Sequence, residues 1–395
     1  MNWSIVSLGE VCDLQAGIGF PPRFQGQAQG DVPFAKVGDI SSVARAGSAA
    51  LSSARNYVSR EDVATLKGRV VPVGSTLFAK IGEAISQNYR VLAGVDCLID
   101  NNAMAAVPNA RVDSRYLFRF LQTVDMYSMT SSTAVPSLRK ADLALIKVPL
   151  PPLPEQRRIA SILDELDAIR RKRRHAIAVS VEAEDAALHK LLSDGPDARR
   201  VAVREIAEIQ TGPFGSLLHK SDYIEGGIPL VNPTHIRDGR VVPDPEFSVT
   251  EATYSALKNY SLHPGDVVLG RRGEMGRAAS ITSAHGRLLC GTGSLIVRPR
   301  DGAVLGTVLA GMLASPLARR KLEQTAQGVT MLNLNQSIVG SLELNVPSMQ
   351  SQVDFDEFRD ALVASREYHQ RHLAKLDELF VSVQHRAFRA DSVSR

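Results

Sequence analysis

Two glycine-flanked segments hold the residues best suited to touching nucleic-acid bases. The first offers Lys80, Gln87, Asn88, Tyr89 and Arg90, and the second, LGRRGEMGR, offers Arg271, Arg272, Glu274 and Arg277 at the matching place. Arg and Lys suit guanine edges, and Asn and Gln suit adenine. Each residue alone reads more simply as plain surface; the correspondence of the two loops raises the group above its members. Other chemistry is missing from the sequence. There is no GxxxxGK[ST] phosphate loop, no HExxH, no GxSxG and no GxGxxG after a strand. Phe20-Pro21-Pro22-Arg23 lacks the polar residue and the aromatic of an amine-gripping Asn-Pro-Pro-aromatic motif. Pro243-Asp244-Pro245-Glu246 resembles a nuclease carboxylate pair only loosely, because no Glu-x-Lys follows. His369 and His372 have a helical metal-ligand spacing but no evident third ligand, so exposed histidines are the simpler reading.

The elements that must position these loops occur twice. VSLGEVCDLQAG (6–17) is echoed by VAVREIAEIQTG (201–212), and VPFAKVGDI (32–40) by IPLVNPTHI (228–236). VPVGSTLFAKIG (71–82) meets LHPGDVVLGRRG (262–273), which places Gly74 on Gly265 and Gly82 on Gly273. TAVPSLRKADLALIKVPLP (133–151) meets GVTMLNLNQSIVGSLELNVP (328–347). The unit is a mixed α and β domain followed by a helix, and a repeat this long is a duplicated domain rather than a solenoid. The resulting boundaries are 1–150, 151–195, 196–349 and 350–395. SRYLFRFLQTVDMYSM (114–129) and AVLGTVLAGMLASPLARRKLEQ (303–324) read as equivalent helical segments.

Each copy ends in a long helical pattern that begins near a Gln, Gln156 or Gln352. In the first, Ile159, Ile162, Leu166, Ile169, Ile177, Val181, Leu188 and Leu191 form one apolar stripe until Asp194-Gly195-Pro196 stops the helix. That span is about 38 residues, or roughly 55 Å. In the second, Phe355, Phe358, Leu362, Leu373, Leu376, Phe380, Val383 and Ala387 continue the pattern, with Ser365 and His369 as weak points and a stutter after His369. Two such stripes most simply bury each other as an intramolecular coiled coil; packing of each on its own domain is the alternative. Arg170-Arg171-Lys172-Arg173-Arg174 circles the first helix, either as a solvated face or as a set of phosphate contacts.

The 395 residues and 44% hydrophobic content support two cored domains. The net charge of +4 permits nucleic-acid binding without demonstrating it. Cys12, Cys97 and Cys290 lack CxxC spacing, which speaks against a disulfide framework or a zinc ribbon and for buried thiols. No apolar run is long enough for a membrane helix, and MNWSIVSLGE lacks a signal-peptide layout. A cytoplasmic setting is the expectation.

The layout domain–helix–domain–helix resembles the specificity subunit of type I restriction–modification enzymes. IKVPLPPLPEQRRIASILDELDAI (146–169) is very like that family's proline–Glu-Gln–helix junction. LELNVPSMQSQVDFDEF (342–358) keeps Pro347 and Gln352 but has Ser351 in place of the Glu. The resemblance implies an α+β chain with two target recognition domains. Two long helices would form an antiparallel coiled coil with pseudo-twofold organisation. Each domain would read half of a split duplex-DNA target, and the helices would set the gap. They would also dock two methyltransferase subunits, joined by motor–nuclease restriction subunits. S-adenosylmethionine, ATP and Mg would belong to those partners, leaving this chain non-catalytic and without cofactor or metal. A coiled-coil scaffold with two protein-binding domains and no nucleic acid is the rival reading, and an autonomous enzyme a distant third.

Overall fold

A computed structural model describes residues 3–131, 135–193, 198–214, 217–273, 275–326 and 333–388. The expected helix stop at Asp194-Gly195-Pro196, together with Glu274, lies outside the described residues. Two compact units emerge: Met1–Ala176 with His369–Arg395, and Ile177–Tyr368. Each unit therefore contains one domain, part of the first long helix and part of the second.

In unit 1 a five-stranded sheet has the order Cys12–Ala16, Ala103–Pro108, Thr76–Ala79, Val91–Ala93, Ala50–Leu51. A smaller sheet orders Tyr57–Val58, Val32–Ala35, Leu98–Ile99, with Phe34 opposite Leu98 in parallel. In unit 2 the first four positions of the larger sheet recur as Ala207–Thr211, Ser294–Pro299, Val267–Gly270, Ala278–Ser280. Its smaller sheet again sets Ile228–Val231 parallel to Leu288–Cys290. Each domain is closed at its base by a two-stranded ribbon, Ser4–Ser7 with Lys147–Leu150 and Arg199–Ala202 with Glu343–Val346. The repeat seen in the sequence is thus a repeat of topology.

The aligned glycines share a backbone conformation. Gly82 and Gly273 both have positive φ, at 92° and 79°, where a side chain would be disfavoured. The three thiols are free and buried. Burial pushes Cys12 and Cys97 up to about 12 and raises Cys290 as well.

The helical segments 114–129 and 303–324 are each interrupted. The first is helical over Ser114–Leu121, capped by Asp113, which accepts from the Arg115 and Tyr116 amides. The second splits into Gly306–Ala314 and Pro316–Thr325, because Ser315 caps a new helix that opens on Pro316.

The long helices span Leu153–Ser193 and Met349–Phe388. Within unit 1 they run in opposite directions: Arg173 meets His369, Arg170 meets Asp377, and Phe380 and Ala387 share a core with Ile159 and Leu163. Within unit 2 the same antiparallel pairing sets Ser180 and Glu184 against Arg366 and Arg359. The inward positions repeat every seven residues: Gln156, Leu163, Arg170, Ile177, Glu184 and Leu191 on the first helix, and Gln352, Arg359, Arg366, Leu373, Phe380 and Ala387 on the second.

This repeat corrects parts of the expected stripe. Leu166, Ile177, Leu188, Phe355, Leu362, Leu373, Leu376 and Phe380 all lose exposure, and Ile159 is buried. Ile162 is only half-buried; Ala160 and Leu163 are buried in its place. Ile169 and Phe358 are 42% and 45% exposed, because a strict seven-residue repeat turns them to the flank. No stutter follows His369. The seam at that level is polar rather than broken, with Arg170, Glu184 and Arg366 at positions where a continuous stripe requires an apolar residue, and Asp377 reaching Arg170 from the flank.

The basic run is partly taken up by the helix pair. Arg170 and Arg174 bond Asp377, Arg170 and Arg171 bond Asp167, and Arg173 meets His369. Four of its five cations have partners in the helix pair, while Lys172 and Arg174 are exposed.

Candidate nucleic-acid interface

Both candidate loops leave the larger sheet at the same point. Residues 80–90 join strand Thr76–Ala79 to Val91–Ala93, and residues 271–277 join Val267–Gly270 to Ala278–Ser280. The Lys80 carbonyl accepts from the Leu138 amide at 2.9 Å, and the Arg271 carbonyl accepts from the Leu334 amide at 2.9 Å. Ile81 bridges Ser137, and Arg272 bridges Asn333. Lys80 and Arg271 are therefore topological equivalents, as are Gly82 and Gly273. Counting back from the paired strands, Tyr89 falls on Arg277 and Arg90 on Ala278.

The loops do not present all their candidates outward. Gln87 and Arg272 are exposed, while Lys80, Asn88, Tyr89 and Arg277 are half-buried. Arg90 is turned inward. It donates to Asn88 Oδ1 at 2.7 Å and to the Tyr89 carbonyl at 2.8 Å, and lies 5.4 Å from the Phe78 ring. Burial lowers its pKa to about 10. It shapes the loop, holding Asn88 at a positive φ of 52°, rather than facing solvent. Arg271 is also buried. Its Nε donates to Asn333 Oδ1 at 3.0 Å, and burial beside Arg272 lowers its pKa. Phe214, strongly exposed, lies 5.9 Å from that guanidinium. Arg277 donates to the Pro233 carbonyl at 3.3 Å.

Of the candidates, Lys80, Gln87 and Tyr89 in unit 1 and Arg272 and Arg277 in unit 2 keep some solvent exposure. Cationic and amide donors on a scaffold loop can bond phosphate oxygens and base edges. Lys36 and Asn232, aligned in the sequence repeat, occupy equivalent sites after the parallel strands. Lys36 Nζ lies 5.1 Å from the Phe20 ring and donates to Gln25 at 2.8 Å.

Missed in the sequence was the anchorage beneath the loops. Gln156 and Gln352 are 1% and 0% exposed. Gln156 Nε2 donates to the Pro151 carbonyl at 2.8 Å, and its Oε1 accepts from the Asp113 amide at 2.7 Å. Gln352 Nε2 donates to the Pro347 carbonyl at 2.9 Å, and its Oε1 accepts from the Leu305 amide at 2.8 Å. Each Gln ties the start of a long helix to the cap of a domain helix. Their repetition was the signal; their partners lie too far away in sequence to be read.

Among the described residues, no group of three or more His, Cys, Asp or Glu is arranged to hold a metal ion. No helix among them is long and apolar enough to cross a membrane.

Comparison with known proteins adds to this geometry. Residues 1–178 match the model of the type I restriction modification DNA specificity domain. The chain is 26% identical over 179 residues to the MjaVIII type I restriction enzyme specificity subunit of Methanocaldococcus jannaschii, covering 41% of each protein. It is 31% identical over 94 residues to a putative type I specificity subunit of Haemophilus influenzae, covering 24% of each. These alignments span less than half the length of the relatives they match. The fold extends further. A type I restriction–modification S subunit from M. genitalium superposes with a TM-score of 0.63 at 14% identity, over 98% of this chain and 96% of that one. A chain from a structure of type I complex assembly and conformational transition gives 0.54 at 19% identity, over 99% and 98%.

Proposed function

We propose that this chain, a relative of type I restriction–modification specificity subunits whose residues 1–178 belong to the DNA specificity domain family, is a non-catalytic DNA-reading subunit. The observation that carries the reading is the loop built twice, on the same strands, with the same carbonyl bonded and the same positive-φ glycine. Two such loops suit a bipartite duplex target, one half per unit, with the helix pair setting the gap.

The helix pair also offers a place for partners. In unit 1 the domain sits on the flank bearing Asp164, Asp167 and Gln384. At about 100° per residue, Ile169 and Leu379 fall on the other flank, and both are exposed. In unit 2 Leu188 lies under the domain helix, while Phe358 and Tyr368 are exposed on the other flank. Methyltransferase subunits would dock there, bringing S-adenosylmethionine; motor–nuclease subunits would bring ATP and Mg.

Duplex affinity measured in the complex with methyltransferase subunits, as a function of salt, tests the reading. Arg272→Ala combined with Lys80→Ala is expected to weaken binding about tenfold or more. The slope of log affinity against log salt should flatten by roughly one for each phosphate that is no longer neutralised. A salt-independent or absent duplex affinity in every assembly favours the scaffold alternative.

A further inference from the structure

The two domain helices begin alike and end differently. Asp113 caps the first and Leu305 the second, and each backbone amide is held by a buried Gln. Six residues on from these caps stand Arg119 and Gly311. Arg119 is 2% exposed and forks onto Asp164, with Nε at 2.9 Å and Nη2 at 2.8 Å, while Nη2 also reaches Asp167 at 3.1 Å. Its own carbonyl accepts from Gln384 at 3.3 Å. The first domain helix is thus attached to the long helices at both ends, by hydrogen bonds in fixed geometry.

Gly311 offers no such fork. It lies against Leu188 so closely that a Cβ would come within 2.7 Å. Beside it is a cavity of about 800 Å³ lined by Leu188, Leu192, Ala310, Phe355 and Arg359. The equivalent space in unit 1 is filled. Tyr116 and Phe120 pack on Phe388 with ring centroids 5.2 and 5.7 Å apart. Val308 and Met312 stand at the corresponding positions of unit 2. Among the described residues, Arg240 of the second domain meets Glu184 of the long helix at 3.9 Å, and Arg240 is half exposed. An exposed pair at that distance restrains little.

We infer that Arg119 is a positioning residue that pins the first domain helix at a second point. The second domain lacks that pin and pivots on its long helices about the Gln352 junction, into the cavity. Held through the Gln352 hydrogen bond and by apolar contact beside a solvent-open cleft, helix Gly306–Ala314 has room to tilt toward that cleft, which the filled space of unit 1 denies. Its consequence for target reading rests on the function proposed above; the motion itself does not.

Hydrogen exchange of the full-length chain tests the motion. Amides of Gly306–Ala314 are expected to exchange at least tenfold faster than those of Ser114–Leu121. Arg119→Gln should bring the first helix to the rate of the second. Asp164 and Asp167 keep Arg115, Arg170 and Arg171 as partners in that variant, and unchanged exchange in strand Ala103–Pro108 verifies the fold. Ala310→Leu, which places a larger apolar side chain in the cavity beside Leu188, should slow exchange in Gly306–Ala314. Equal protection of the two helices in the wild type overturns the inference, as does a first helix indifferent to Arg119→Gln or a second unslowed by Ala310→Leu. In the methyltransferase complex, Arg119→Gln should lower base discrimination about tenfold at one half-site alone. Equal loss at both half-sites contradicts the pin, whereas wild-type protein without any DNA preference contradicts the proposed function and leaves the exchange result standing.

Discussion

At the scale of single residues, burial separates side chains that hold the loops from side chains that can touch a ligand. Arg90 and Arg272 are equal candidates by type. Arg90 is bonded inside its domain, whereas Arg272 is open to solvent. Arg90→Ala is expected to lower stability by about 1–3 kcal/mol, since Asn88 Oδ1 loses a charged donor; a urea titration reads it. Gln156→Leu leaves the Asp113 amide and the Pro151 carbonyl without their partner, and an expected cost of about 2–4 kcal/mol follows. A midpoint shift smaller than that of an exposed control such as Gln350→Leu would contradict this role. The thiols give a third check. With Cys12 and Cys97 raised to about 12 by burial, little thiolate forms at pH 8. Iodoacetamide should label the native chain slowly and the denatured chain at all three cysteines.

At the scale of elements, the sequence disclosed the long helices, the glycine turns and the repeated strands, because each leaves a local pattern. It did not disclose the seam. A purely apolar stripe draws Ile169 and Phe358 inward and leaves Arg170, Glu184 and Arg366 outside. Their true places depend on charges brought together from residues far apart in sequence, such as Arg170 with Asp377 and Arg366 with Glu184 at 2.5 Å. Arg366 is 3% exposed, and removing one partner of such a pair strands a buried charge. Glu184→Ala should therefore destabilise by about 3 kcal/mol or more, and Glu184→Leu with Arg366→Leu by much less. The seven-residue repeat also defines a test of spacing. Inserting one heptad into both long helices adds about 10 Å, or roughly three base pairs, and should lengthen the gap while leaving both half-sites unchanged. Altered half-sites with an unchanged gap would remove the helices from that role.

At the scale of the whole molecule, duplication was the most legible feature and the difference between the copies the least. The two domains share sheet order, parallel pairing, loop exit and Gln junction. They differ in whether the domain helix is clamped by Arg119 or leans on Leu188 through Gly311, which a one-letter alignment shows only as a mismatch. Reading of a split DNA target is the central claim, and the base identity it calls for would be set by loop contacts that the sequence does not encode locally. The most direct measurement is a methylome. The chain is co-expressed with the proposed methyltransferase partner in a methylation-free host, and N6-methyladenine is mapped by single-molecule sequencing. A bipartite motif with one fixed gap, present only when this chain is present, is the predicted result. A stable co-purified complex that adds no methylation at any motif would contradict the account and favour a scaffold.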